Sequence, residues 1–275
     1  MAKNANSNEN PFGDISWVNQ EDAVKVLPPT IQWRRGDKVN AEPFLKFGCW
    51  QLPKENWPMP LGDPWKEADC QHGGNVVVPS YITGVIHIAV INWRKQWFVM
   101  ENDKRVFVKT FTEGARSVMQ YYALVKEMNN EPMIITTSGL NAMNLENAVR
   151  GFAKQVIAPA GRMAGTQFGY YHFWIPLKTQ GVKDTKQGQY VTPPGLALKD
   201  INVDVMRSLF TGKDIGDLAS GFVAEAKDWA EYEPEPIEPE HEDDDNNNGK
   251  VQHPEPPPYD DAPLPDFDEV KEIPF

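Results

Sequence analysis

Tyr81-Ile-Thr-Gly-Val-Ile-His-Ile-Ala-Val-Ile-Asn-Trp-Arg-Lys-Gln-Trp-Phe-Val-Met100 decides the fold, together with its continuation through Glu101-Asn-Asp-Lys104 to Arg105-Val-Phe-Val-Lys-Thr-Phe111. From Tyr81 to Val90, Ile86, Ile88 and Val90 fall on one side of an extended chain, and Lys95 to Met100 is again β-prone. Glu101 to Lys104 has turn chemistry. Arg105 to Phe111 alternates strictly, with Val106 and Val108 on one face and Arg105, Phe107 and Lys109 on the other. Three consecutive antiparallel strands are expected.

Downstream, Val118, Tyr121, Tyr122, Val125 and Met128 follow helical spacing, so a helix is expected over Ala115 to Met128, ended by Asn129, Asn130 and Pro132. A short strand follows at Met133 to Thr137. Leu145, Ala148, Val149, Phe152 and Val156 make a second amphipathic helix over Asn144 to Val156, which Pro159 and Gly161 stop. Phe168 to Pro176 reads as a final aromatic strand, Gln180 to Gly195 as a polar loop, and Asn202 to Phe210 and Ile215 to Glu231 as helices. The last of these either packs on the core or joins subunits of a homo-oligomer. Upstream, Pro28 to Pro79 is rich in Pro, Gly and Trp, which suits short strands and turns.

The expected fold class is α+β with a β-rich core: an OB-fold-like antiparallel barrel with added helices, followed by a disordered acidic tail. The same order of elements also suits a generic α+β sandwich.

Charge divides the chain. The 275 residues carry 27 Lys and Arg against 39 Asp and Glu, net −12, yet residues 231–275 alone hold 16 acids and 2 bases. The remainder is therefore mildly basic. The acidic segment also has 10 of the 24 prolines and none of the tryptophans, a composition that cannot repay ordering entropy by burial. Three regions are expected: a flexible lead-in at 1–27, a folded domain at 28–231, and a disordered tail at 232–275. No run of 18 apolar residues exists and Met1 to Asn10 is polar, so a cytoplasmic protein without a membrane span or secretory signal is expected.

Catalytic signatures such as G-x-x-x-x-G-K-[ST], H-E-x-x-H and G-x-S-x-G are missing, so no enzyme and no cofactor are expected. Cys49, Cys70 and His72 offer three zinc ligands where a structural site wants a fourth, and their spacing fits no common finger. Two free thiols are the plainer expectation. Glu101 and Asp103 beside Lys104 sit in a turn, and His87 and His172 lie within expected strands, so none is given a role.

Bases interleaved with aromatics carry the functional reading. Single-stranded nucleic acid is held by cations along its phosphates and by flat rings under its bases. The pieces are Trp33, Arg34, Arg35 and Lys38; Trp93, Arg94, Lys95 and Trp97; Arg105, Phe107 and Lys109; and Tyr170 and Trp174. Burial of Tyr170, Phe173 and Trp174 as core is the competing account for the last group. Arg150, Lys154 and Arg162 extend the basic path.

The chain closes with Asp266-Phe267-Asp268-Glu269, then Val270 and Lys271, then Glu272-Ile273-Pro274-Phe275. This tip resembles that of bacterial single-stranded-DNA-binding proteins, which end in a short acidic peptide closing with Asp, Ile, Pro, Phe after a disordered linker. Here Glu stands for Asp before the isoleucine, and Val270-Lys271 interrupts the acids. The resemblance covers about ten residues and does not extend to that family's N-terminal barrel, which points to a phage or other mobile element. It implies that the tip recruits replication, recombination and repair proteins. A terminal Phe275 fills an apolar pocket while its carboxylate pairs with a cation. The acidic tail is also expected to compete with DNA for the basic groove. The sequence thus reads as a single-stranded-DNA-binding protein without enzymatic activity. Two alternatives stand beside it, a strand-annealing recombination protein and an interaction protein whose tail imitates the bacterial peptide without binding DNA.

Overall fold

Val85–Glu101, a single strand of 17 residues, is the spine of the molecule in the computed structural model. The structure describes residues 27–34, 39–40, 48–71, 76–101, 104–108, 110–179, 182–183, 190–191, 194–198 and 200–231. The lead-in, Arg35, Lys38, His72, Asp103, Lys109 and the whole tail tip lie outside the described residues. The chain divides into two units, Met1–Pro236 and Ile237–Phe275, and the described residues all belong to the first.

In chain order the strands are β1 (Thr30–Arg34), β2 (Val39–Asn40), β3 (Cys49–Pro53), β4 (Lys66–Gln71), β5 (Val77–Thr83), β6 (Val85–Glu101), β7 (Lys104–Val108), β8 (Arg116–Val125) and β9 (Glu131–Ser138). After the helices α1 (Leu140–Phe152) and α2 (Ala158–Ala164) come β10 (Ile175–Thr179), β11 (Val182–Lys183), β12 (Tyr190–Val191) and β13 (Pro194–Leu196). The helices α3 (Val203–Leu209), α4 (Gly212–Gly221) and α5 (Val223–Glu231) complete the described chain.

The fold is α+β, built on a strongly curled mixed sheet that forms a half-barrel. Its strand order is β13-β10-β6-β8-β9-β1-β3-β5-β4-β2, with β7 pairing the far end of β6 and β11 pairing β12 separately. Among the described residues the ladders are antiparallel except β1 against β9, which is parallel, so the sheet is mixed rather than purely antiparallel. The inner face carries the main core, including Ile31, Trp50, Leu52, Ile86, Ile88, Tyr121 and Ile135, closed by Leu145, Val149 and Phe152 of α1. A smaller cluster on the outer face joins Tyr122 and Ile134 to Ala226 and Trp229 of α5.

Several expectations are corrected. Residues 115–128 form β8 and a short 3-10 turn rather than a helix. Helical spacing misled because Tyr121 to Val125 is buried continuously, with helices covering both faces of the sheet, so the period-2 signal vanishes. Asn129 and Asn130, expected to end a helix, take φ of 55° and 65° and turn β8 back onto β9. The first two expected strands join in β6, except that Tyr81, Ile82 and Thr83 end β5. Pro159 does not stop the helix but lies in the first turn of α2, directly after a π-helical turn at Ala153–Ile157. Phe168 to Pro176 contains a 3-10 turn at Tyr170–His172 before β10 begins. The helix expected at Ile215 to Glu231 is broken into α4 and α5.

Gly48 is required by its surroundings. Its φ is +111°, and a Cβ there would lie 2.5 Å from the Arg34 carbonyl oxygen and 2.6 Å from the Trp33 ring. Next to it, Cys49 and Cys70 are free, fully buried thiols packed with Ile82. Burial pushes the Cys49 thiol up to about 12, the nearby Cys70 adds to the rise, and Arg34 opposes it.

Candidate nucleic-acid interface

A β-bulge builds this site. The β6–β8 register runs Val90↔Ala123 and then Asn92↔Tyr122, leaving Ile91 as the extra residue. Were Ile91 paired in a regular ladder, alternation would put Asn92 and Arg94 on the face of Ile88 and Val90. With the bulge, Trp93, Lys95 and Trp97 take that inner face, and Asn92 and Arg94 take the outer one.

The outer set is locked to α5. Asn92 donates to the Ala226 carbonyl at 3.1 Å, and Arg94 donates to Gln120 at 2.8 Å and to the Trp229 carbonyl at 2.9 Å. The Arg94 guanidinium also lies 4.4 Å from the Trp229 ring centroid. Tyr122 beneath donates to Glu225, and burial followed by that bond raises its hydroxyl above the ordinary value.

The inner set faces solvent. Trp93 is 48% exposed, although it sits in the middle of a long strand. Lys95 lies 5.3 Å from the Trp97 ring centroid, and Trp97 meets Phe111 edge-on at 5.1 Å with Phe111 largely exposed. Across from them, α1 presents Glu146 and Arg150. The Glu146 carboxylate is 3.2 Å from Lys95 Nζ and 2.6 Å from an Arg150 nitrogen. Its side chain is only 15% exposed, whereas Arg150 is 63% exposed.

Between β6 and α1 these residues enclose a cleft of about 50 Å³ lined by Val90, Trp93, Met119, Tyr121, Glu146, Val149, Arg150 and Tyr170. Tyr121 is its buried floor. Burial first, then the neighbouring Glu146 and Tyr170, raise the Tyr121 hydroxyl above its usual value against the pull of Arg150, so it stays protonated. Tyr170 also lines a second, wider groove of about 820 Å³ between the helical run 153–162 and residues 165–170, with Arg162 and Phe168 in its walls. Phe168 is held there by Phe173 and Phe210, 5.4 and 5.5 Å away. The short Gly161-to-Phe168 turn that shapes this groove depends on Gly161, whose Cβ would meet the Thr166 carbonyl oxygen at 2.7 Å.

Of the residues singled out in the sequence, Trp93, Lys95, Trp97 and Tyr170 come together on this surface. Arg94 is on the opposite face. Trp33 is buried edge-on against Trp50 at 5.5 Å, and Arg34 donates to the buried Gln51 at 2.6 Å. Trp174 is 6% exposed, and its backbone N–H donates to the Leu209 carbonyl. Phe107 is 40% exposed but pairs with Phe98, which puts it on the outer face, while Val106 and Val108 share the side of Trp97 and are half-buried. Arg105 is in β7. His87 meets the Glu127 carboxylate through both its backbone N–H and its ring, an interaction of the strand with the β8–β9 turn.

Sequence reasoning missed Glu146, Tyr121, Phe111 and Phe168. For Glu146 a signal existed, since Glu146 and Arg150 stand four apart in the orientation that pairs on a helix. No protein-family model, no curated protein and no solved structure shows significant similarity to the chain.

Proposed function

We propose that this protein binds single-stranded DNA, stacking bases on exposed rings and neutralising phosphates, in replication, recombination or repair. One observation carries the reading: Trp93 stands exposed in mid-strand with Lys95 and Arg150 beside it, at the mouth of a cleft that shares Tyr170 with a groove walled by Phe168 and Arg162. A flat ring that size has ample apolar area to bury, and its exposure beside two cations matches the stacking-plus-phosphate pattern. The curled sheet serves as an OB-like platform in this reading, and binding is non-enzymatic.

The tail completes the proposal. Asp266, Phe267, Asp268, Glu269, Glu272, Ile273, Pro274 and Phe275 recruit partner proteins through a terminal aromatic and its carboxylate, and the basic groove takes the strand.

The test is fluorescence anisotropy of a labelled oligo-dT and of its duplex with the full chain at two salt concentrations. Tighter, salt-sensitive binding to the single strand is expected. Absence of binding to both discards the reading and leaves the tail as the only functional element.

A further inference from the structure

Glu146 is out of place in a surface made to hold phosphates. It cancels one of the two charges that Lys95 and Arg150 bring to the mouth of the cleft, and a binder indifferent to sequence would gain by losing it. It is not a spare surface acid, since it is largely covered and lines the cleft directly. Each of its two oxygens receives one cation, which leaves lone pairs on both. The other polar groups lining the cleft are donors or hydroxyls: the Trp93 indole N–H, the Arg150 guanidinium and the hydroxyls of Tyr121 and Tyr170. Glu146 is therefore the cleft's one anionic acceptor.

Resting on the single-strand reading above, we propose that the cleft between Trp93 and Tyr170 takes the edge of one nucleobase and that Glu146 selects an amino-bearing pyrimidine, cytosine, over uracil or thymine. The cytosine exocyclic amine projects beyond the ring and donates to a carboxylate, while the adjacent ring nitrogen accepts from Arg150. Uracil offers only a recessed N–H between two carbonyl oxygens, and a carboxylate approaching it meets one of them. A volume of about 50 Å³ admits the edge of a ring rather than a whole nucleotide, so one base is read while its neighbours stack outside on Trp93 and Trp97. Lys95 and Arg150 keep donors free for phosphate while they hold the carboxylate in place.

The experiment compares full-length protein binding to oligo-dC and oligo-dU of equal length by anisotropy, in wild type and in Glu146→Gln. Wild type is expected to prefer dC by about tenfold, the low end of the scale of one hydrogen bond to a charged acceptor. Glu146→Gln is expected to bind dU more tightly, having lost a negative charge, and to bring the ratio close to one. A wild-type ratio of one, with binding to both, overturns base selection and leaves single-strand binding standing. A preference that survives in the variant overturns the role of Glu146. No binding to either oligomer overturns the single-strand reading and this inference with it. A third oligomer carrying N4,N4-dimethylcytosine tests the same contact on unaltered protein: affinity is expected to drop to the dU value, and full retention refutes the contact.

Discussion

The two faces of β6 between Asn92 and Trp97 carry similar chemistry to opposite ends. On the outer face Arg94 and Trp229 form a cation–π pair that is covered, hydrogen-bonded and tied to the Trp229 carbonyl. On the inner face Lys95 and Trp97 form another cation–π pair that stays at the surface beside the exposed Trp93. Residue type does not separate them. The difference is a single bulged residue, Ile91, which decides which base and which ring become structure and which remain available.

Trp229→Ala attacks that comparison most directly. It should cost about 3–5 kcal/mol of stability by emptying the outer cluster, while the folded fraction binds single strands as before. Chemical denaturation paired with anisotropy separates those two readouts.

Trp93→Ala should show the converse. Stability is expected to stay within about 0.5 kcal/mol, as for an exposed residue, and single-strand affinity to weaken by about 1–3 kcal/mol, the worth of one stacked base. Equal affinity of Trp93→Ala and wild type would remove the inner face from the binding surface. The smallest effect belongs to Arg150→Ala, which should flatten the dependence of log affinity on log salt by about 0.7, one phosphate contact on a single strand.

How much of this was legible in sequence follows the same line. The strand character of residues 85–90 and 95–100, the helix over 144–152, and the concentration of bases and rings around Trp93 were all visible, because each rests on local pattern. The bulge was not, since nothing in Val90-Ile91-Asn92 marks which residue lacks a partner, and without it Trp93 and Arg94 cannot be assigned to faces. Residues 116–125 were misread as a helix because burial on both sides erases alternation. Trp33 and Trp174 read like Trp93 in one dimension, and only tertiary packing distinguishes a core ring from a surface one. Glu146 became meaningful only when α1 was laid against β6 and its carboxylate met Lys95, 51 residues away in the chain.

The buried pair Cys49 and Cys70 has a chemical consequence. With the Cys49 thiol pushed up to about 12, only on the order of one molecule in 10⁵ carries its thiolate at pH 7, and Cys70 is raised as well and equally shielded. Both sulfurs should therefore be almost inert to maleimides and iodoacetamides while the protein is folded. A single cysteine placed at an exposed position of the cleft rim would then be the one nucleophile that such reagents find, and the native chain would serve as its own unlabelled background.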